Sequence, residues 1–332
     1  METGLAQHFL LSAKAKTLSL REVGNMTDDE ARASFRAVRF AENGGEPFCP
    51  RCGCFGVYEY EARHIFKCKQ CNHQFSLTSG TIFANRKMPL VDILLAIAIF
   101  VNGANGHSAI HLSRELKCNY RTAFVLAHKL REVFGAQQTK HKLTGTVEID
   151  GFWTGGHIKK TNLVADRIDR RSSNPKRRNI VSIRERRKGG RTLSFVFRHE
   201  SEAIATILAH VHETAKIRTD EAAHWKVLKA YFDDVKSVNH SKDGYVVNGI
   251  HTNWIESFNG RIRRAIKGVH HRIAGAYLKG YADEFAWRED HRRVDNGAQF
   301  GLLVRGAAHQ PVSRNWAGYW QRGASFQKAA TA

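Results

Sequence analysis

Four cysteines in the first quarter of the chain have the type and spacing needed to bind a metal ion. They form two C-x2-C pairs, Cys49 with Cys52 and Cys68 with Cys71, and 15 residues separate the pairs. Each pair can turn two thiolates toward one point, and four thiolates complete a tetrahedral Zn²⁺ site. Because such a site leaves no position for water, we expect a structural zinc ion rather than redox chemistry.

Short β-like runs between the two pairs predict the scaffold of this zinc site. Val57–Tyr60 and His64–Lys67 alternate in polarity, as the two strands of a hairpin do. Three more potential ligands lie nearby: Cys54, His64 and His73. Because four cysteines already complete the site, we expect none of these three to bind the metal. The remaining cysteine, Cys118, is expected to be a small core residue.

Acidic residues in the second half form another candidate metal centre. Asp150 and Asp220 each end a β-like run, where a strand delivers a side chain to the edge of a site. A third segment, His251–Arg264, predicts a helix. One face of this helix would carry Asn253, Glu256, Gly260, Arg263 and Lys267.

Carboxylates in such an arrangement suit hard cations. Two Mg²⁺ or Mn²⁺ ions held about 3.5–4 Å apart neutralise the attacking and leaving oxygens of a phosphodiester during cleavage. Each acid taken singly could instead cap a helix or pair with an arginine. The order strand, strand, helix, with 35 residues between Asp220 and Glu256, favours the metal site.

The charge of the chain predicts a polyanionic partner. Its 52 Lys+Arg exceed its 31 Asp+Glu, which gives a net charge of +21 and a pI near 10.0. Basic side chains gain affinity by releasing counterions from phosphates, so nucleic acid is favoured over a merely solvated basic surface. Residues 167–191 hold 11 Lys/Arg in 25 positions and predict a track for the DNA backbone rather than a solvated loop.

Two adjoining helical patterns predict a DNA-reading element. Gly106–Leu116 and Tyr120–Arg131 have helical periodicity and flank the short turn Lys117–Asn119. This pattern is typical of a helix-turn-helix, although an ordinary helical hairpin has the same periodicity. This element, the basic segment 167–191 and the predicted helix that begins near His251 together provide nine candidate DNA contacts: Arg121, Lys129, Arg177, Arg178, Arg186, Arg187, Arg263, Arg264 and Lys267.

The remaining patterns predict a mixed α/β protein in several parts. An N-terminal helical segment (1–46), with Thr27 and Glu30 as a capping box, precedes the zinc ribbon (47–88) and the helix-turn-helix region (89–137). Thr146–Ile149, Asn179–Ile183, Leu193–Phe197 and the run before Asp220 alternate with helical patterns in a catalytic domain (143–295). Residues 296–332 lose periodicity and are expected to form a loosely ordered tail.

Leu90–Val101 is too short to span a bilayer and predicts a buried helix. With no secretory signal visible, we expect a cytoplasmic protein.

Several motifs together resemble the zinc-ribbon insertion-sequence transposases of the ISXO-like group. They are Cys49-Pro50-x-Cys52-Gly53, Val147-Glu148-Ile149-Asp150-Gly151 followed by Gly155-Gly156, Thr219-Asp220-Glu221, His251-Thr252-Asn253-x-Ile255-Glu256-Ser257-Phe258, Gly268-Val269-His270-His271 and Tyr281-Ala282-Asp283-Glu284-Phe285-Ala286-Trp287-Arg288. The similarity covers roughly residues 25 to 295.

This resemblance implies a ribonuclease-H-like catalytic domain that cuts and joins double-stranded DNA at the terminal inverted repeats of an element. It implies an acidic triad with two Mg²⁺ or Mn²⁺ ions, and a homo-oligomer in the DNA complex. Asp150 and Asp220 would be the first two ligands, and the third would be Asn253 or Glu256. We prefer Glu256, since a carboxylate binds Mg²⁺ more strongly than an amide oxygen. Arg263 stands where the group often has a lysine, and a phosphate contact is still expected there.

Two other functions share parts of these patterns. A non-catalytic DNA-binding regulator would retain the zinc ribbon and the helix-turn-helix without cleavage. A plain nuclease would share the metal site without transferring the cut end. Metal-dependent strand cleavage separates the first of these from a transposase, and strand transfer separates the second.

Overall fold

A computed structural model describes residues 8–138, 141–156, 163–166, 174–238 and 251–321. The chain divides into two compact units. The first contains the residues up to Gln137 together with those from Arg293 onward, and the second runs from Gln138 to Arg292. Among the described residues, no helix has both the length and the apolar character needed to cross a membrane.

The first unit begins with two short helices and a small sheet. Helices α1 (Leu20–Gly24) and α2 (Asp28–Arg39) precede an antiparallel sheet of β1 (Val57–Tyr60), β2 (Ile65–Cys68) and β3 (Gln74–Phe75). The predicted capping box at α2 is confirmed, since the Glu30 N–H donates to Thr27 Oγ1 (3.2 Å) and the Thr27 N–H donates to the Glu30 carboxylate (2.7 Å). The predicted hairpin between the cysteine pairs is confirmed as β1 and β2.

Three further helices follow in this unit: α3 (Leu90–Asn102), α4 (Ala109–Glu115) and α5 (Tyr120–Ala136). Most of α3 is buried, as predicted for the Leu90–Val101 run. Ser108 caps α4, Asn119 caps α5, and Lys117 between them has a φ of 48°. The predicted pair of helices with a tight turn is therefore present.

The second unit is built on a mixed five-stranded sheet. Its strands are β4 (Thr146–Gly155), β5 (Arg177–Glu185), β6 (Thr192–Phe197), β7 (Lys216–Asp220) and β8 (Val235–Val238), in the spatial order β6-β5-β4-β7-β8. Strands β4, β5 and β6 are antiparallel, whereas β7 and β8 run parallel to β4. The predicted strands are confirmed, and β4 and β5 extend beyond the predicted bounds.

Helices cover both faces of this sheet. On one face, Ile149 and Ile217 pack with Ile207 of α6 (Ile204–His210) in one apolar cluster. On the other face, Phe152 and Ile180 pack against α7 (Asn253–Ala265) and α8 (Leu278–Asp290) in a second cluster. Because side chains alternate along a strand, Glu148, Asp150 and Phe152 of β4 all point toward the α7 face.

The loosely ordered tail expected after residue 296 is wrong for its first 14 residues. Asn296–His309 form helix α9, which Asp295 caps by accepting the Ala298 N–H (2.9 Å). This helix belongs to the first unit and packs against α2, α3 and α5. Its small residues permit close approach, because a Cβ on Gly306 would lie 2.7 Å from the Val133 side chain. Such residues weaken the apolar periodicity by which helices are predicted. Residues 322–332 lie outside the described part.

Candidate metal centres

The four predicted zinc ligands come together in the first unit. Their sulfur atoms all lie within 4.8 Å of one another, with 3.6 Å between Cys49 and Cys71 and 3.6 Å between Cys52 and Cys68. A tetrahedral ion with Zn–S bonds of about 2.3 Å requires sulfur separations of about 3.8 Å. The cysteine quartet therefore fits a closed, structural zinc site. Cys54, His64 and His73 are not part of the quartet, as predicted.

Each cysteine pair lies on a turn of the same construction. The Cys49 N–H donates to the Cys54 carbonyl and the Gly53 N–H to the Cys49 carbonyl. The second turn repeats both bonds: the Cys68 N–H donates to the His73 carbonyl, and the Asn72 N–H donates to the Cys68 carbonyl. Gly53 and Asn72, at equivalent positions, both have positive φ. The N–H groups of Cys71 and Gln70 lower the pKa of the Cys68 thiol, which favours the thiolate that a metal binds.

The first two predicted carboxylates lie on neighbouring parallel strands. The register pairs Val147 with Ile217 and Glu148 with Arg218, so its continuation by two residues aligns Asp150 with Asp220. Burial, together with the neighbouring charge of Asp220, raises the pKa of Asp150 to about 6, against the opposing effects of the Asn259 hydrogen bond and the charge of Arg263. A bound cation would offset both the burial of Asp150 and its repulsion from the neighbouring carboxylate, so the two acids are a fitting pair for a metal ion.

Helix α7 runs alongside β4, and three contacts fix its position. The backbone N–H groups of Trp254 and Ile255 donate to Glu148 Oε2 (3.0 and 2.9 Å). Further along, Asn259 Nδ2 donates to Asp150 Oδ2 (2.8 Å). Last, the Arg263 guanidinium lies 4.6 Å from the centre of the Phe152 ring.

The spacing of these contacts follows from the geometry of the two elements. Two residues of a strand rise about 6.6 Å, and four residues of a helix rise about 6 Å. Alternate residues of β4 therefore meet every fourth residue of α7. The position beside Asp150 is consequently occupied by Asn259, one turn beyond Ile255.

The two candidates for the third ligand lie elsewhere on this helix. Asn253 is exposed, while Glu256 is half-buried and accepts a hydrogen bond from the Thr252 hydroxyl. Across the described part of the chain, the cysteines are the one group of three or more potential ligands within 4.8 Å. Asp150, Asp220 and Glu256 thus lie further apart than that in this structure.

Sequence reasoning missed Asn259 and Glu148. The predicted face of the helix followed its polar residues, but the buried face follows Ile255, Phe258, Ile262 and Ala265. Position 259 belongs to that apolar stripe by its spacing, and an asparagine there was the available signal. Glu148 has no comparable signal, because an acid two residues before the end of a strand pattern does not reveal its partner.

The Asp150 site contains a donor suited to a cation. The Asn259 side chain is fully buried, and in the described structure its Oδ1 has no hydrogen-bond partner. Carboxylate and amide oxygens are hard ligands of the kind that Mg²⁺ and Mn²⁺ prefer. The residues around Asp150 therefore fit a divalent cation.

The predicted DNA contacts fall into two groups. Some are engaged within the protein: Arg186 pairs with buried Glu148 (2.6 Å), Arg187 pairs with Glu185 (2.7 Å), and burial lowers the pKa of Lys129. Arg121 and Arg177 lie over the rings of Trp320 and Trp153, and Arg178 donates to the Pro175 carbonyl. On and after α7, the side chains of Arg263, Arg264 and Lys267 are exposed. Residues 167–173 of the basic segment lie outside the described residues, and residues 177–185 form the interior strand β5.

Comparison with known families agrees with this arrangement. Residues 142–290, which contain the five-stranded sheet, α7 and α8, match the ISXO2-like transposase domain. Residues 26–74, which contain α2 and the cysteine quartet, match the transposase zinc-ribbon domain. The chain therefore combines the two domains of an ISXO2-like, zinc-ribbon transposase.

One relative comes from an archaeal element. An uncharacterized protein in transposable element ISH50 of Halobacterium salinarum is 26% identical to this transposase over 115 residues. That match covers 34% of this chain and 38% of the relative. No solved structure matches the chain significantly.

Proposed function

We propose that this ISXO2-like transposase cuts the DNA at the ends of its own element and joins the cut ends to a target. The observation that carries the proposal is the placement of Asp150 and Asp220 on adjacent parallel strands of a transposase-type sheet. The strand order, with three antiparallel strands followed by two parallel ones, supports a ribonuclease-H-like domain. In that fold, a metal-dependent phosphodiesterase site would lie beside these two acids, in the middle of β4 and at the end of β7.

The residues would divide the chemistry as follows. Asp150 and Asp220 hold divalent cations, Glu256 is the third acidic ligand, and Asn253 is the alternative. Bound Mg²⁺ or Mn²⁺ supplies charge neutralisation at the reacting phosphate. In cleavage, a water oxygen forms a bond to phosphorus and the bond from phosphorus to the 3′-oxygen breaks, which releases a 3′-hydroxyl. In joining, that hydroxyl attacks a target phosphodiester and displaces the 3′-oxygen of the target strand.

DNA binding would come from basic side chains and the first unit. Arg263, Arg264 and Lys267 extend from the site along the exposed side of α7 and the turn after it. Arg121, which is exposed at the start of α5, would make the helix-turn-helix contact. Joining requires element ends and target in one assembly, which favours a homo-oligomer on the DNA.

The decisive experiment uses the full-length, zinc-loaded protein and duplex DNA that carries the sequences flanking its gene. Asp150→Ala, Asp220→Ala and Glu256→Ala should each abolish Mg²⁺-dependent cleavage and strand transfer, because each removes a charge that holds the cations. DNA affinity should stay within about twofold, since affinity comes from the basic surface. Ser257→Ala, an exposed change on the same helix, serves as the control.

Asn253→Ala resolves the ambiguous ligand. Modest loss there, with complete loss in Glu256→Ala, would support Glu256. Complete loss in Asn253→Ala with an active Glu256→Ala would assign the amide instead. Cleavage at the wild-type rate by Asp150→Ala or Asp220→Ala would overturn the transposase proposal, and a non-catalytic DNA-binding regulator would take its place.

A further inference from the structure

A single polar residue interrupts the apolar face that α7 turns toward the sheet. Its neighbours on that face are Ile255, Phe258, Ile262 and Ala265, all buried. Asn259 stands among them with no exposed surface. Burial of an amide with unused hydrogen-bonding capacity destabilises the fold, so packing alone would favour an apolar residue at this position.

The amide of Asn259 is satisfied on one side and vacant on the other. Its Nδ2 donates to Asp150 Oδ2 at 2.8 Å. Its Oδ1 accepts no hydrogen bond in the described structure, although it is fully buried. If Asn259 served only to donate a hydrogen bond to Asp150, that role would explain its side-chain nitrogen but not its buried oxygen. A cation next to Asp150 would satisfy that oxygen and offset its burial.

We propose that Asn259 is a ligand in the metal site of Asp150, with its side-chain oxygen binding the same divalent cation. This inference rests on the proposed function, because it assumes that Asp150 holds a metal. It adds a neutral oxygen ligand, from the second turn of α7, to the acidic set. Glu148 fixes that register by binding the first N–H groups of α7.

Binding of Mn²⁺ to the zinc-loaded, full-length protein tests the ligand role without DNA or activity. Mn²⁺ affinity is measured by titration calorimetry, and the melting temperature is recorded with and without Mn²⁺. Asn259→Ala should weaken Mn²⁺ binding at least tenfold, as loss of a group that ligates or orients a ligand does. Asn259→Asp should restore the affinity, because a carboxylate of the same size offers the oxygen. Ser257→Ala should bind Mn²⁺ as the wild type does.

The outcomes separate a ligand from a structural residue. A residue that merely holds Asp150 would lower the melting temperature when changed to alanine, with Mn²⁺ affinity within twofold of wild type, and that result would overturn the proposal. Failure of Asn259→Asp to bind Mn²⁺ better than Asn259→Ala would also overturn it. Loss of binding in Asp150→Ala together with wild-type binding in Asn259→Ala would leave the metal site standing and reject Asn259. If the zinc-loaded wild type bound no Mn²⁺, both the metal site at Asp150 and the ligand role of Asn259 would be rejected.

Discussion

In the second unit, the buried Glu148 and Glu185 and the half-buried Asp150 are each stabilised by a different kind of partner. Glu148 accepts from a helix N-terminus and from Arg186, and Asp150 accepts from an amide. Glu185, at the end of β5, is surrounded by arginines and backbone donors. A carboxylate with charged partners remains ionised when buried, whereas one with a neutral partner does not readily do so. This difference separates Glu185 from Asp150.

Glu185 should make the protein sensitive to acid. Burial raises the pKa of its carboxyl, but Arg191, the Thr144 N–H and Arg187 outweigh burial and lower the pKa to about 2. A depressed pKa stabilises the folded state above the unfolded value near 4.5, and this stability is lost as the pH falls toward 2. Between pH 7 and pH 3 the wild type should lose about 2 kcal/mol of unfolding free energy through this residue.

Urea unfolding of wild type and Glu185→Gln at the two pH values measures this contribution. The glutamine variant should be less stable at pH 7 and should lose correspondingly less on acidification. Glu213→Gln, a change of the same kind at an exposed position, should follow the wild type. Parallel losses in Glu185→Gln and wild type would contradict the assignment.

At the scale of single residues, the sequence predicts which side chains can bind a metal better than it predicts which side chains lie next to one another. The four cysteines were predicted completely, because each pair is local and its turn geometry follows from a short spacing. Asn259 was missed, because its importance depends on which face of α7 meets β4, and that is decided by long-range packing. The polar pattern of the helix suggested one face, and the stripe from Ile255 to Ala265 selected another.

Between elements, the contact of α7 with β4 determines the geometry of the site. Glu148 binds the helix N-terminus, where N–H groups have no partners within the helix and the helix dipole favours negative charge. Arg186 pairs with the same carboxylate and also donates to the His251 carbonyl just before the helix. The buried carboxylate of Glu148 thereby connects β4, the segment between β5 and β6 that contains Arg186, and the start of α7. This explains why Arg186, predicted from sequence as a DNA contact, is turned inward.

Loss of Glu148 should loosen this junction. Glu148→Ala removes one partner of a buried ion pair and should cost about 3 kcal/mol of unfolding free energy. Glu148→Gln should cost less, because the amide oxygen can still accept from the helix. A double-mutant cycle with Arg186→Ala should give a coupling energy of roughly 1–3 kcal/mol. Cleavage should fall in Glu148→Gln while DNA affinity is retained, since a shift of about 1 Å in α7 moves Glu256 and Asn259. Wild-type stability in Glu148→Ala would contradict this role.

Over the whole molecule, the sequence predicted the mixed α/β class and the strands of the sheet from local periodicity. It did not predict that the residues from Arg293 onward join the first unit, because that association depends on contacts with α2, α3 and α5 far away in sequence. Composition predicted the polyanionic partner, and the net charge of +21 is a property of the whole chain. Which basic side chains can reach a phosphate depends on their exposure. Arg186 pairs with the buried Glu148, whereas Arg264 and Lys267 are exposed.

The exposed pair Arg264 and Lys267 therefore gives the sharpest test of DNA binding. Phosphate contacts release counterions, and each contributes about 0.9 to the slope of log affinity against log salt concentration. Changing both residues to alanine should weaken binding to all sequences alike and reduce the slope by about 2. Fluorescence anisotropy with two unrelated duplexes over 50–200 mM salt measures both effects. Lys14→Ala with Lys16→Ala, an exposed pair in the first unit, removes the same charge and should leave the slope unchanged. Equal reductions from both pairs would show that net charge, rather than the surface beside α7, binds the phosphates.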